Sequence, residues 1–395
     1  MRTAAILDRV AGLGSDKWRV HFRARQMIAK GEPVILLTIG EPDQPTPDAL
    51  IAATHRALLA GRTGYSNGRG EARVLQALAA KYSARSGRSV SSNQFIWVPG
   101  TQSALYLLLM GLVQAGDEVL VADPCYATYH GLVRATGAVT VPVALREARG
   151  FRLDAADLAR AVTPATRLIF LNSPHNPTGA VLTRDDVRAI GLVAQAHDLW
   201  ILSDEVYESL IFDGPGALFA SPFDEADLAE RTVIASSLSK SHAAPGFRAG
   251  WCAGPAAFIS RLLPLAEAML FGAQPFIADM AAEALSGDFA ITAQMREAYA
   301  RRAAHVALAL AGVPGLRVHA PQAGMFVMLS VDGLGLDGEA FADQLLTQAQ
   351  VAVMPGSAFG AAAAGMVRLS LTVPDAALAE ACTRLAALAR QLASR

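Results

Sequence analysis

The chain has 395 residues, of which 52% are hydrophobic and 17% are charged, and its formal net charge at pH 7 is −1. This length and composition predict two domains, or one large α/β domain with a smaller lobe, around a substantial buried core. The near-neutral charge offers no basic surface for nucleic acid or an anionic membrane, and three scattered cysteines fit neither a disulfide framework nor a tetrahedral zinc site. We therefore expect a soluble protein without a metal centre.

The N-terminus and the longest apolar run indicate the compartment. Asp8 and Arg9 interrupt a short apolar patch, so the N-terminal residues make a poor signal peptide. The most apolar run, Ala104 to Val113, has about half the length that a membrane span needs. These features predict a cytoplasmic protein that does not enter a membrane.

The first predicted elements lead to a glycine turn. Residues 1 to about 32 have the spacing of a helix, and Val34 to Ile39 forms a short buried strand. The strand runs into Gly40-Glu41-Pro42-Asp43, where a glycine lets the backbone approach a ligand. Asp48 begins an amphipathic helix, and the loop after it carries Tyr65. Alone, the turn indicates an ordinary strand exit and the tyrosine an incidental loop residue.

The next strand predicts a phosphate site. The strand Phe95 to Val98 runs into Pro99 to Ser103, which opens a helix from Ala104 to Gln114. In this order of strand, glycine, hydroxyl and helix, free backbone N–H groups and the helix dipole can hold a phosphate, although many α/β helices begin this way without a ligand. A second strand, Glu118 to Ala122, leads to Tyr126, whose ring suits either stacking on a planar ligand or core packing.

Two further buried strands end in polar residues. The apolar run Arg167 to Leu171 is followed by a proline-rich turn that carries Asn176. The strand Leu199 to Ser203 ends at Asp204, with Tyr207 three residues later. Packing alone does not explain a carboxylate at the end of a buried strand, because buried charges need partners.

A lysine loop follows the strand Thr232 to Ala235. Lys240 lies among small hydroxylated residues, including Ser237, and Arg248 follows eight positions later. Small neighbours allow a lysine to come close to other backbone, and hydroxyls with an arginine can form a pocket for a phosphate. A solvated lysine in a surface loop is the alternative.

Strands alternate with helices from about residue 95 to 255, which predicts a mostly parallel sheet with right-handed crossovers. In such sheets ligands bind beyond the carboxyl ends of the strands. We therefore predict one site from the residues that follow strands, namely Gly100, Tyr126, Asn176, Asp204 and Lys240.

After about residue 290 the pattern indicates a smaller α+β lobe, with a helix from Met295 to Leu310 and strands near residues 324–329, 351–356 and 367–371. Arg368 lies inside the last of these apolar strands, where a guanidinium needs an anion. That anion is either a structural carboxylate or the carboxylate of a substrate.

Together these segments resemble the class I/II aminotransferases of fold type I, which use pyridoxal 5′-phosphate. The resemblance runs from Gly40 to Arg368, and the combination of three motifs makes it specific: Asn176-Pro177-x-Gly179, Asp204-x-x-Tyr207, and Ser237-x-Ser239-Lys240 with Arg248. It implies an α/β fold in two parts. A large cofactor-binding domain, residues 46–290, would contain a mostly parallel seven-stranded sheet flanked by helices, and residues 1–45 and 291–395 would form a smaller α+β domain.

The resemblance implies roles at the cofactor ring. Lys240 would bind the cofactor as an imine and then move a proton between the substrate and the cofactor. Asp204 would pair with the protonated pyridine nitrogen, and Asn176 and Tyr207 would hydrogen-bond the phenolic oxygen of the ring. Tyr126 would stack on the face of the ring. The catalytic residues would thus be Lys240, Asp204 and Tyr207.

The resemblance also implies a phosphate pocket and a substrate clamp. The phosphate ligands would be Gly100, Thr101, Gln102, Ser237 and Arg248. Tyr65 would join them from a second copy of the chain, which implies a homodimer. Arg368 would hold the α-carboxylate of the substrate, with help from Asn176 and from the backbone of Gly40.

The implied reaction is a ping-pong transfer of the α-amino group of an L-amino acid to a 2-oxo acid, either pyruvate or 2-oxoglutarate. Aspartate-specific relatives have a lysine where this chain has Gln102, which argues against aspartate as the donor. Segments such as Ala196 to Trp200 and Met295 to Tyr299 are similar to arginine–pyruvate aminotransferases. A guanidinium substrate would need a carboxylate at the pocket mouth, and Asp16, Glu41 and Asp43 are the alternatives.

Three other functions compete with this interpretation. A C–S β-lyase uses the same cofactor but usually lacks the Gly-Glu-Pro-Asp turn, so it ranks second. A transcriptional regulator with an aminotransferase-like domain needs a DNA-binding region before the first strand, and a strand that begins near residue 34 leaves no room for it. A cofactor-free binding protein would have no reason to bury Lys240, Asp204 and Arg248.

Overall fold

The computed structural model describes residues 1–13, 15–212 and 219–394, with the side chains of residues 15 and 16 left out. The strands of this part of the chain are β1 (Ile35–Leu37), β2 (Phe95–Pro99), β3 (Glu118–Asp123), β4 (Val139–Ala144), β5 (Thr166–Asn172), β6 (Trp200–Asp204), β7 (Thr232–Ser237), β8 (Ala249–Ala253), β9 (Arg317–His319), β10 (Phe326–Ser330), β11 (Val351–Pro355) and β12 (Met366–Ser370).

The α-helices of the same residues are α1 (Ile6–Arg9), α2 (Arg19–Ala29), α3 (Asp48–Leu59), α4 (Ala72–Ser86), α5 (Thr101–Leu112), α6 (Tyr129–Ala135), α7 (Ala155–Ala161), α8 (Arg184–Ala196), α9 (Leu238–Ser241), α10 (Ala256–Leu270), α11 (Pro275–Ser286), α12 (Ala290–Ala309), α13 (Gly338–Ala349) and α14 (Asp375–Ala393).

The larger sheet has seven strands in the order β2-β8-β7-β6-β5-β3-β4. Only β8 runs antiparallel to its neighbours, so the prediction of a mostly parallel sheet is confirmed. In the register of the central strands, Asn172 lies opposite Asp204 and Asp204 lies opposite Ala235. The carboxyl ends of β5, β6 and β7 therefore meet at one edge of the sheet.

The sequence analysis did not name β4, which is the seventh strand. It pairs with β3 alone and forms one edge of the sheet. Pro142 lies in its middle and cannot donate a hydrogen bond to a neighbouring strand. A proline is tolerated at an edge because only one side of the strand is paired.

Helices cover both faces of this sheet, as predicted. On one face, α5 and α10 bury leucine and isoleucine side chains such as Leu108 and Ile259. On the other face, α8 packs Ile190 against the strands, and α4 and α11 cover the stacked rings of Trp97 and Trp251, whose centroids are 6.4 Å apart. Packing on both faces leaves the ends of the strands as the accessible part of the sheet.

The smaller sheet has five strands in the order β1-β11-β12-β10-β9. Its core includes side chains of α12, α13 and α14 together with Val20 and Ala24 of α2. The N-terminal segment thus packs with the C-terminal third of the chain. We keep the domain boundaries, after residue 45 and after residue 290, as a proposal.

The structure bears on three features: membrane-spanning helices, metal-ligand clusters and disulfides. In the ranges given above, no helix combines the length and the apolar character needed to cross a bilayer. Those ranges also contain no group of three or more His, Cys, Asp or Glu side chains placed to hold a metal ion. Cys125, Cys252 and Cys382 are buried free thiols.

Candidate active site

A cavity of about 510 Å³ lies at the carboxyl edge of the larger sheet, where residues of the smaller sheet close it. This volume is typical of sites for small molecules. Of the residues selected from the sequence, it is lined by Gly40, Thr101, Gln102, Tyr126, Asn176, Asp204, Tyr207, Lys240, Arg248 and Arg368. The structure therefore brings most of the selected residues to one place.

Lys240 lies in the short helix α9, directly after β7, and is half-buried. Its Nζ donates a hydrogen bond to the carbonyl oxygen of Gly40 over 2.5 Å. A Cβ at Gly40 would lie 2.1 Å from Cζ of Phe326, so only glycine fits where the turn meets the lysine. Burial lowers the pKa of Lys240 to about 8, opposed in part by the nearby charge of Glu41. At pH 7 about a tenth of this amine is therefore neutral and nucleophilic, compared with less than about a thousandth for a lysine in water.

Asp204 ends β6 and is 4% exposed. Its Oδ2 accepts a hydrogen bond from the hydroxyl of Tyr129 at 2.8 Å, and its Oδ1 accepts one from the backbone N–H of Val206 at 3.2 Å. Burial raises the pKa of this carboxyl to about 6. The two hydrogen bonds limit this increase, because they stabilise the charged form. At pH 7 the group is ionised, so it can hold a cation in the cavity.

Tyr129 is a site residue that the sequence analysis missed. It begins α6, three positions after Tyr126, and its ring stacks on Phe170 with a centroid distance of 4.2 Å. Tyr126 meets it edge-on at 5.6 Å and lines the cavity. A buried tyrosine needs a partner for its hydroxyl, which was the available signal, but the sequence does not show that Asp204 is that partner.

Asn172 was also missed. It is the last residue of β5, and its side chain donates to the backbone oxygen of Asp204 at 3.0 Å. Its Oδ1 accepts a hydrogen bond from the backbone N–H of Asn176 at 2.8 Å. Asn172 therefore ties the turn that carries Asn176 to the end of β6.

Arg368 lies in β12 and is 1% exposed. One terminal nitrogen donates to Oδ1 of Asn176 at 2.9 Å and the other to the backbone oxygen of Thr38 at 2.7 Å. Its guanidinium lies 3.8 Å from the ring centre of Phe326 and 4.5 Å from that of Phe359. Burial lowers the pKa of Arg368 to about 10, so the group remains charged at pH 7.

The charge of Arg368 is not neutralised within the described residues. None of their carboxylates comes within 4.0 Å of its nitrogens, and its Nε is buried without a hydrogen-bond partner among them. The sequence left two alternatives for the partner of Arg368, a structural carboxylate or the carboxylate of a substrate. A structural salt bridge is not found in this part of the chain. A buried guanidinium in this state is suited to bind an anion from outside the chain.

Gly100 and Arg248 lie together at a candidate second anion site. Gly100 has a φ of 84°, and a Cβ there would lie 2.3 Å from a terminal nitrogen of Arg248. A Cβ at Gly250 would lie 2.5 Å from the backbone of Gly100, so two glycines are needed for this close approach. The hydroxyls of Thr101 and Ser237 meet at 2.8 Å beside them, at the start of α5. Hydroxyls, a guanidinium and a helix N-terminus together fit a phosphate.

Tyr65 is the selected residue that lies apart from the cavity. Its side chain is 90% exposed and contacts Phe271 edge-on, with ring centroids 5.1 Å apart. Phe271 is itself 66% exposed. One chain alone therefore does not bring Tyr65 to the phosphate site.

The three carboxylates considered for a guanidinium substrate differ in availability. Asp43 accepts from Arg302 at 2.9 Å and from the hydroxyl of Tyr299 at 3.2 Å, so it is already paired. Glu41 lines the cavity. The side chain of Asp16 lies outside the described residues.

Comparisons with known proteins agree with this geometry. The sequence profile of aminotransferase class I and II matches residues 32–385. The chain is 44% identical over 392 residues to arginine–pyruvate transaminase AruH of Pseudomonas aeruginosa, covering 99% of each chain. Among solved structures it is similar to a single mutant of Thermus thermophilus aspartate aminotransferase, with a TM-score of 0.92 and 32% identity over 98% of this chain and 100% of that one.

A second solved structure, an aromatic aminotransferase from Pyrococcus horikoshii, has a TM-score of 0.88 and 32% identity over 93% of this chain and 99% of that one. Profile, relatives and structures agree, and the profile match includes both sheets and every described lining residue of the cavity except Trp18. The chain therefore belongs to the class I and II aminotransferases, a family of pyridoxal-phosphate-dependent enzymes of fold type I, and is an aminotransferase.

Proposed function

We propose that this aminotransferase binds pyridoxal 5′-phosphate in the cavity and moves the α-amino group of L-arginine to a 2-oxo acid, pyruvate or 2-oxoglutarate, by a ping-pong mechanism. The observation that carries the proposal is the placement of Lys240, Asp204 and the Gly100–Arg248 anion site around one cavity. The name of the Pseudomonas relative supports arginine as donor and pyruvate as acceptor.

The cavity fits the cofactor group by group. When bound, the cofactor supplies an aldehyde and a pyridine ring that withdraws electrons from the substrate. The buried carboxylate of Asp204 is suited to hold the protonated ring nitrogen. Asn176 and Tyr207 offer an amide and a phenol to the ring oxygen, and Tyr126 offers a ring to stack on. The proposed phosphate ligands are Gly100, Thr101, Gln102, Ser237 and Arg248.

Lys240 and Arg368 would act on the substrate. The neutral amine of Lys240 is able to take a proton at Nζ and return it, because burial keeps its pKa near the working pH. Arg368, with its unpaired Nε, would hold the α-carboxylate, helped by Asn176 and by the backbone of Gly40. Holding the carboxylate orients the substrate, so that its Cα–H bond faces Lys240.

The proposal also includes the oligomeric state of the protein and its location in the cell. The chain would form a homodimer in which Tyr65 reaches the phosphate of the other subunit, because the exposed rings of Tyr65 and Phe271 suit burial against a partner. It would act in the cytoplasm, and three buried free thiols fit a reducing compartment.

Absorbance spectroscopy of the purified protein tests the cofactor and the reaction. We expect a visible absorbance band from the bound cofactor, lost on adding L-arginine and restored by pyruvate or 2-oxoglutarate. Lys240→Ala should lower turnover by roughly three orders of magnitude or more, because the amine that moves the proton is removed. Lys30→Ala, at an exposed lysine, is the matched control and should retain turnover.

Two results would contradict the proposal. Undiminished turnover in Lys240→Ala would remove this lysine from the mechanism. Release of pyruvate from an S-substituted cysteine in the absence of any 2-oxo acid would instead favour a β-lyase, since elimination needs no acceptor.

A further inference from the structure

We propose that Trp18 and Glu41 form the subsite that binds the guanidinium of the amino donor. This inference rests on the proposed function and assigns two residues to the distal end of the substrate. Both side chains line the cavity, and neither is needed to hold the cofactor or the α-carboxylate. An aromatic face together with a carboxylate is a recurrent way to bind a guanidinium.

Glu41 lies at the mouth of the cavity. It lines the main cavity and also an adjoining groove of about 490 Å³, and its side chain is exposed. Asp204 is the other carboxylate among the described lining residues, and Tyr129 and Val206 already hold it at the base. Within the described part of the chain, no cation lies within salt-bridge distance of Glu41.

Trp18 is fixed in the wall of the cavity. It is half-buried and packs against a small cluster that includes Ala127 and Phe359. The preceding residue, Lys17, donates from Nζ to the backbone oxygen of Ala127 at 3.0 Å, so this cation is anchored by a neighbouring carbonyl. The following residue, Arg19, binds Glu339 at 2.9 Å. These contacts hold the indole in place before a ligand arrives, which lowers the cost of binding.

The charges around the mouth select against an acidic donor. Gln102 is neutral, and Glu41 would repel the distal carboxylate of a dicarboxylic amino acid. Arg248 lies beside Gly100, and Arg368 is bonded to Asn176. The proposed function assigns these two guanidinium groups to the phosphate and the α-carboxylate. Asp43 does not substitute for Glu41, because its carboxylate is paired with Arg302.

A pair of amino donors that differ mainly in the charge of their distal group provides the test. L-Citrulline has nearly the shape of L-arginine but carries a neutral ureido group. We expect the ratio of kcat/KM for arginine to that for citrulline, with pyruvate as acceptor, to fall about tenfold or more in Glu41→Gln, since a charge-assisted hydrogen bond is lost. Glu230→Gln, an exposed carboxylate outside the cavity, is the matched control and should leave the ratio unchanged.

The role of Trp18 is tested by replacing its aromatic ring with an aliphatic side chain. Trp18→Leu keeps an apolar side chain and should lower the arginine-to-citrulline ratio about threefold to tenfold, whereas Trp18→Tyr should restore most of it, because an aromatic face attracts a cation. An unchanged ratio in both Glu41→Gln and Trp18→Leu would overturn the proposal.

The donor panel separates this inference from the proposed function. If the wild-type protein transfers the amino group of alanine or citrulline but does not prefer arginine, the subsite is wrong and the aminotransferase mechanism stands. If no amino acid changes the cofactor spectrum, the proposed function itself fails.

Discussion

Asp204 is held charged in a place where a charge is unfavourable. It is 4% exposed, and burial raises its pKa to about 6, compared with about 4 for a carboxyl in water. Between about pH 4 and about pH 6 the folded protein without cofactor therefore binds more protons than the unfolded chain does. Its free energy of unfolding falls as pH rises from about 4 to about 6. Above about pH 6 nearly the full free-energy cost of burying the ionised carboxylate lowers the stability of the folded protein.

We predict that Asp204→Asn stabilises the cofactor-free protein. The gain in the free energy of unfolding should be about 3 kcal/mol at pH 7.5 and roughly half of that at pH 5, because at the lower pH the folded wild-type protein protonates the carboxyl, at a smaller cost than burying its charge. Urea unfolding of both proteins at the two pH values measures it. The same change should weaken retention of the cofactor, which gel filtration followed by absorbance would show.

Asp288→Asn is the control for this comparison, since Asp288 is exposed and its replacement should change the free energy of unfolding little at either pH. A loss of stability in Asp204→Asn at pH 7.5 would mean that the hydrogen bonds from Tyr129 and Val206 outweigh the cost of burying the charge.

Among single residues, those that follow predicted strands could be selected from the sequence, because position at the end of a buried strand is itself a signal. Asp204 and Lys240 are of this kind, and both line the cavity. Tyr129 and Asn172 were missed, since their role depends on contacts with a residue 75 and 32 positions away. The roles given to all these residues stay predictions.

At the scale of elements, α4 is tied to the end of β6 by a buried charge cluster. Arg85 of α4 binds Glu205, which follows Asp204, at 2.9 Å, and it also binds Glu208 at 2.6 Å and Asp224 at 2.9 Å. Glu205 is fully buried. The cluster therefore fixes the backbone just beyond Asp204 from the side of the sheet that α4 covers.

We predict that Arg85→Met lowers the free energy of unfolding by about 3–5 kcal/mol, because Glu205 would remain buried without a cation, although Glu208 would keep its pair with Lys81. Chemical denaturation measures the loss. Arg301→Met, which removes an exposed pair with Asp375, is the matched control and should cost under about 1 kcal/mol. Equal effects of the two substitutions would show that Arg85 does not stabilise the fold through its buried partners.

Elements were predictable where hydrophobic pattern and length agreed, as in β5, which lies within one residue of the predicted run. The helix expected from Ala104 begins three residues earlier, at Thr101, directly after Gly100. This difference matters for the proposed phosphate site, because it brings Thr101 and Gln102 into the first turn of the helix. The edge strand β4 was missed, since Pro142 weakens its pattern and only the finished sheet shows that one side is free.

At the scale of the whole molecule, the cavity is built by both sheets. Asp204 and Lys240 come from the larger sheet, and Arg368 comes from the smaller one, which β1 joins from the N-terminal side. The pairing of β1 with β11 connects residues more than 300 positions apart. Local sequence patterns do not encode such a contact, so only the resemblance to a family predicted that the N-terminal segment belongs to the smaller lobe.

The proposed homodimer makes a prediction that only two chains together can satisfy. If Tyr65 serves the phosphate site of the other subunit, a dimer of one Tyr65→Ala chain and one Lys240→Ala chain contains one complete site, with an intact Lys240 in one chain and an intact Tyr65 from the other. Each variant alone has no complete site. Co-expression of the two chains with different tags, followed by purification through both tags, yields this mixed dimer.

We expect the mixed dimer to have about half of the wild-type turnover per dimer, since one of the two equivalent sites of a symmetric pair is complete. Tyr65→Ala alone should require a higher cofactor concentration for activity, because one phosphate ligand is lost. If Tyr65 acted within its own chain, the mixed dimer would contain no complete site, and its turnover would stay at the average of the two variants. Analytical ultracentrifugation of the wild-type protein provides the control, because a monomer would contradict the shared site whatever the mixed chains do.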